Sequence, residues 1–228
     1  MADNLNDAPP NLEKSQRDQM KNEIKKEGQK ILEKYFEGRE YNKEKVQLLK
    51  DYSLEDISTF LVEKYINYGF VISIIIIKIG SMRDNANYVL RNNTDSNILI
   101  SIETKTMYCL MRIFFYKKYS SKINLNKAIE DNIFIYMNNI LTNKLEGVEY
   151  SYEISDKESK NIVNELNDYL LNKKEERRPC SCNQCSILKK PIDFVFNYKV
   201  INLDYIPLMV SYSNDSLYSQ LVLIILNN

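Results

Sequence analysis

Three cysteines fall within six residues, Cys180-Ser-Cys182-Asn-Gln-Cys185, and thiolates at that density are the one grouping in the chain able to act as soft metal ligands. Zinc in a closed structural site takes four ligands, and a fourth is lacking. The chain has no histidine, and the remaining cysteine, Cys109, lies in a different segment. Arg177-Arg178-Pro179 on the N-terminal flank reads as exposed loop, so the cluster is expected to be reduced, unliganded thiols in a loop insertion over 174–190. A zinc-binding interaction module through this loop is the alternative. A redox pair has less support, because no C-x-x-C opens a helix here. The carboxylate pairs Glu55-Asp56 and Glu175-Glu176 sit at a helix start and in a charged loop, where solvation accounts for them.

Composition removes most other chemistry. Without histidine there is no imidazole base and no triad that depends on one. Five glycines supply neither a phosphate-binding P-loop nor a G-x-G-x-x-G turn. Basic and acidic residues number 31 each, and that balance argues against an electrostatic hold on nucleic acid or an anionic membrane. The 17 tyrosines, lacking a basic surplus around them, suit packing in half-exposed sheets better than stacking on bases. No catalytic residue and no cofactor is expected. The first thirty residues are polar, and the apolar run Phe70–Ile79 is too short to span a bilayer, so a soluble, cytoplasmic chain with reduced thiols is expected.

The elements follow from periodicity. Residues 1–12, with Pro9-Pro10, read as a disordered leader. Ile24, Ile31, Leu32 and Tyr35 make one apolar stripe on a charged helix over 13–36, which Gly38 ends. A second helix is expected from Ser53 to Tyr65. Phe70–Ile79 is almost wholly β-branched and predicts a buried strand, followed by strands near 87–91, 97–103 and 106–116. Four consecutive strands with short connections imply an antiparallel meander with both helices on one face, an α+β arrangement.

The second half repeats this order. Helices are expected over 128–144 and 156–173, and strands over 192–201, 205–212 and 217–226. Glu37-Gly-Arg-Glu-Tyr41 matches Glu146-Gly-Val-Glu-Tyr150 at the same inter-helix junction, which makes an internal duplication the better reading. The second copy then looks one strand short. The resulting division is domain one over 13–118, a linker over 119–127 and a degenerate domain two over 128–228.

One stretch has a familiar form. Glu103-Thr-Lys105-Thr106-Met107-Tyr108-Cys109-Leu110 resembles the E-N-K-T-M-Y-C-I sequence entering the last strand of the Tctex-type dynein light chains, and Thr94-Asp95 resembles the pair in a turn of that family. The resemblance covers 24–116, and in the second half only the junction, the element order and Lys190-Pro191 carry it. It implies two tandem Tctex-like repeats, each with two helices on an antiparallel sheet, able to form an intramolecular pseudo-dimer. Members of the family bind rather than catalyse. They pair through their sheets, exchange a strand, and hold an extended segment of a dynein intermediate chain on the edge of the second strand.

Carried over, the resemblance makes Ala86, Asn87, Tyr88, Val89, Leu90, Arg91 and Asn92 the partner-binding edge, with Leu208, Met209, Val210, Ser211 and Tyr212 as the matching run of the second repeat. An unpaired strand edge offers backbone donors and acceptors to an incoming peptide, which is why such a site needs no special side chain. The implied function is a non-catalytic dynein light chain that binds intermediate chains and other light chains, and through them the heavy chain and microtubules. The implied location is the cytoskeleton, with the cilium axoneme preferred. A Tctex-like adaptor in a non-dynein ciliary or transport complex is the alternative. A two-chain mass in solution counts against the pseudo-dimer.

Overall fold

The computed structural model describes residues 10–79, 88–92, 97–117, 127–172, 180–191, 193–201 and 204–227. Helices α1 (Pro10–Phe36) and α2 (Lys43–Lys64) precede strands β1 (Tyr68–Lys78), β2 (Tyr88–Asn92), β3 (Asn97–Glu103) and β4 (Met107–Lys117). Helices α3 (Lys127–Leu145) and α4 (Tyr152–Asn172) then precede β5 (Cys180–Lys189), β6 (Phe194–Ile201), β7 (Asp204–Ser213) and β8 (Leu217–Asn227). The chain is α+β, with two antiparallel four-stranded sheets.

Local signals explain the helix ends. Gly38 and Gly147 both take positive φ, 68° and 70°, just beyond α1 and α3, the left-handed conformation that glycine adopts without steric cost. Helix α2 begins ten residues before the expected Ser53. Its N-cap is Asn42, whose Oδ1 accepts from the Lys45 amide at 3.0 Å. Ser53 is instead buried in mid-helix, where its hydroxyl returns to the Lys50 carbonyl at 2.8 Å. At the N-terminus, residues 10–12 belong to α1 and not to a leader, with proline in the first turn, where a missing amide costs nothing.

The strands do not form two meanders. The first sheet has the order β3-β4-β1-β6 and the second β2-β5-β8-β7. Strand β2 leaves its neighbours in sequence and pairs with β5, Tyr88 opposite Leu188, while β6 pairs with β1, Phe70 opposite Ile201. Each sheet therefore contains one strand from the other half. Short connections predict adjacency only when no better partner exists. Here β1 is flanked by β4 and β6, and is buried from Gly69 to Ile77.

The Cys180 segment is a strand and not a loop. Strand β5 lies between β2 and β8, and its core positions Cys185, Ile187 and Leu188 are buried. Four polar residues among its first seven conceal the pattern, because Gln184 and Ser186 occupy a buried sheet face where apolar residues are the rule. With β5 recognised, the second half is not short of a strand. Lys190-Pro191 then follows its first strand instead of preceding it.

The layers are helices, sheet, sheet, helices. Ile24, Leu32, Phe36, Ile57 and Leu61 pack with Phe70, Ile72, Ile74, Ile76 and Met111 of the first sheet. Ile133, Met137, Leu141, Leu166 and Leu170 do the same with Ile187, Val210, Leu221 and Leu223 of the second. Between the sheets, Val71, Phe114, Val222 and Ile224 form one apolar cluster, and Ile75, Ile77, Leu110 and Leu188 another. Gly28 marks a close helix-to-sheet approach, since a Cβ there would collide with Ile100 Cδ1. Gly28→Ala alone is expected to lose about 1 kcal/mol by displacing Ile100. In an Ile100→Val background the same change should gain up to about 1 kcal/mol of helix propensity. Urea unfolding of the four-member cycle measures the difference.

Candidate partner-docking edges

The residues Lys105 to Cys109 turn the chain from β3 into β4. Thr104 Oγ1 accepts from the Met107 amide at 3.1 Å, and the Thr104 amide donates to the Met107 carbonyl at 2.8 Å. Thr106 Oγ1 accepts from the Tyr41 amide at 2.7 Å and so ties the α1–α2 junction to the hairpin. Met107 and Cys109 are fully buried on the helix-facing side of β4, and Tyr108 packs into the inter-sheet cluster. Burial alone pushes the Cys109 thiol far above its ordinary range. Thr106 to Cys109 fasten the hairpin to the helices and the inter-sheet core, and Lys105 is exposed beside them.

The same devices recur in the second half. Ser216 Oγ accepts from the Tyr150 amide at 2.6 Å, and Asn214 Oδ1 accepts from the Leu217 amide at 2.9 Å. Asp215-Ser216-Leu217-Tyr218-Ser219 stands in register where Lys105-Thr106-Met107-Tyr108-Cys109 stands on β4. The shared signal is a hydroxyl, an unbranched or γ-branched apolar residue and a tyrosine, which a search for Thr-Met-Tyr-Cys passes over. Thr106→Val and Ser216→Ala are each expected to cost about 1–2 kcal/mol, because each strips a partly buried amide of its acceptor. Denaturant midpoints compared with Thr106→Ser, which keeps the hydroxyl, check the assignment.

Four strands lie at sheet edges, β3 and β6 on the first sheet and β2 and β7 on the second. The proposed partner edge is thus split between what the structure describes and what it does not. Tyr88, Val89, Leu90, Arg91 and Asn92 form β2, an edge strand, though on the sheet of the other half. Ala86 and Asn87 lie outside the described residues. Leu208 to Tyr212 fall on β7, also an edge, with Val210 buried, Leu208 and Tyr212 half-buried, and Met209 and Ser211 outward. Their register makes β7 the counterpart of β3, not of β2. The counterpart of β2 is β6, where Phe194-Val195-Phe196 answers to Tyr88-Val89-Leu90. The misplacement follows directly from taking β5 for a loop.

Strand β6 is fastened to the first half as well as paired with it. Val195 and Ile201 enter the core beneath α1 and α2. Along the same side Lys43 pairs with Asp193 at 3.0 Å, Asn197 donates to Asp51 at 3.4 Å, and Lys199 meets Glu55 at 2.5 Å. Burial, with Asp193 beside it, pushes the Tyr41 hydroxyl up to about 12, so that side chain is neutral throughout the physiological range. The helices are pinned to each other in a similar way. Glu23 accepts from Lys64 at 2.8 Å and from the Tyr65 hydroxyl at 2.7 Å, which together hold its carboxyl down at about 2.

Of the three clustered cysteines, the side chains of Cys180 and Cys182 lie outside what the structure describes, and Cys185 is sealed in the core beneath α3 and α4. Burial pushes its thiol up to about 12, a state that neither binds metal nor reacts readily. Among the described residues no group of three or more candidate ligands is placed to hold a metal ion. An open groove of about 740 Å³ beside β3 is lined by Glu33, Glu37, Glu103, Thr104 and Lys105.

Residues 19–116 match the family model of the Tctex-1 family. This stretch of the chain is of the Tctex type. The family is one of non-catalytic dynein light chains. The matched span runs from α1 through β4, and so includes both the edge strand β2 and the Lys105–Cys109 turn. No curated protein matches the chain. Among the described residues no helix is long and apolar enough to cross a membrane.

Proposed function

We propose that the chain is a non-catalytic dynein light chain in which two Tctex-like repeats, the second degenerate, pair within one molecule as two light chains do in the family. Residues 13–118 and 128–228 are the two repeats and 119–127 joins them. The observation that carries the reading is the reciprocal exchange of β2 and β6, with β1·β6 and β5·β2 ladders of the same sense. Repeated contacts at Tyr41 and Tyr150, and at Gly38 and Gly147, support it. In this reading the partner is an extended segment of an intermediate chain, added as a strand to β2, with β7 as the further edge of the same sheet. The molecule then serves as a stabilising subunit of a motor, in an axoneme by preference.

Affinity purification of the tagged chain from its own cells, with quantitative mass spectrometry after a moderate salt wash, tests the function. Dynein intermediate and heavy chains in near-equal amounts are expected. A stable set of partners without dynein would move the chain to an adaptor role. The docking edge has its own test. Alternate amides of β2 face β5, and the others face away. Proline at positions 89 and 91, or at 88 and 90, removes one set or the other. One of the two pairs is expected to abolish partner capture while leaving the fold intact, and the other to unfold the strand. Capture that survives both pairs would take the docking site away from β2.

A further inference from the structure

The surface buried between the two sheets differs on its two sides. The β1·β4 and β5·β8 ladders run in matching register, so Ser73 answers to Gln184, Ile75 to Ser186, Leu110 to Gln220 and Arg112 to Val222. In each of the last three pairs one residue is apolar and the other polar. All eight are buried, Arg112 to 6% exposure and Gln220 to 9%. At the centre, the Ser73 hydroxyl donates to Gln184 Oε1 at 2.9 Å across the interface, and Gln184 Nε2 points to Ser186 Oγ at 3.5 Å.

This rests on the reading that the halves pair as two light chains would. Given that, we infer that the inter-sheet face makes each half selective for an unlike partner and rejects a copy of itself. Pairing the first half with its own copy would bury two Arg112 guanidiniums in one low-dielectric interface, and ions there carry a heavy desolvation cost. Pairing the second half with its own copy would bury Gln184, Ser186 and Gln220 twice over, with no Ser73 hydroxyl to meet Gln184. In the unlike arrangement each of the last three equivalent positions carries one polar residue instead of two, and Ser73 and Gln184 are joined by a hydrogen bond. The partner that fits sheet one is therefore the chain's own second half, and neither a second copy of the first half nor a symmetric two-chain light chain.

The full-length chain can be made to imitate the rejected pairing. Val222→Arg places a second guanidinium at the position equivalent to Arg112, and Val222→Met supplies length without charge. The double variant Arg112→Val/Val222→Arg transposes the charge to the other sheet. In denaturant unfolding, V222R is expected to lower the folding equilibrium constant by roughly 100-fold or more relative to V222M. The transposed double should return to within about tenfold of wild type. A V222R value within about threefold of V222M, or a double variant no better than V222R, would overturn the selectivity. Wild-type mass in solution is read alongside. One chain, 26.9 kDa, is expected at every concentration. A two-chain mass would remove the within-chain pairing and leave the unfolding comparison to decide the selectivity alone.

Discussion

Val195→Asp, a substitution in the second half of the chain, is expected to unfold the first half. Val195 is 5% exposed and belongs to the core formed by α1, α2 and the first sheet. Its strand pairs with β1, Val195 opposite Ile76, and so the carboxylate would enter among Ile74, Ile76 and the α2 side chains. An uncompensated buried charge costs about 3–5 kcal/mol, a large share of the 5–15 kcal/mol that holds an ordinary domain together. The informative readout is where protection is lost. Hydrogen exchange by mass spectrometry should show residues 68–78 and 107–117 losing protection together with 194–201 and 217–227. Were the halves independent, β4 would keep its protection and only the β6 region would open. Val200→Asp, on the inter-sheet side of the same strand, should act on both sheets at once, because Val200 packs with Val222 and Ile224.

How far such interleaving can be read from sequence depends on the kind of signal each residue carries. The helices and most strands are legible because their patterns are local. The β-branched run from Val71 to Ile77 has one meaning, and Gly38 and Gly147 end helices wherever they stand. Asn42 was masked by the abundance of asparagine in this chain, which made a true helix cap look like background. Strand β5 was hidden for a deeper reason. Its buried Gln184 is met by the Ser73 hydroxyl across the interface, and that compensation comes from a residue more than a hundred positions away. The same holds for strand exchange. Nothing within Tyr88–Asn92 says whether its partner is β1 or β5, since a ladder of backbone amides accepts either. The site residues divide in the same way. Lys105–Cys109 is recognisable as a motif, yet its work is to fasten a turn, and the edges become visible only once the sheet order is known.

Dividing the chain between β4 and α3 is expected to leave neither part folded alone, while co-expression of the two parts restores a one-to-one complex. The first part would keep α1, α2 and β1 to β4, but β1 would lose the whole β6 ladder from Phe70 to Ile77 and with it Val195 and Ile201 from the core. Val71, Ile75, Ile77, Leu110 and Phe114 would exchange a dry interface for water. Burying apolar area stabilises by about 25 cal/mol per Å², so five such side chains represent several kcal/mol lost at once. β2 would be stranded as well, because its only ladder partner among the described residues is β5. The light-chain reading offers an escape, in which two first parts exchange β2 with each other. Two buried Arg112 side chains oppose that escape. The expected result is therefore aggregation or a loosely packed state for each part alone. Size-exclusion chromatography with light scattering should show a single complex of both when they are made together. A monomeric first part with cooperative unfolding would mean that β6 contributes far less than its burial implies. A well-folded dimer of first parts would mean that the guanidinium is accommodated, and Arg112→Val should then leave its dimer constant unchanged.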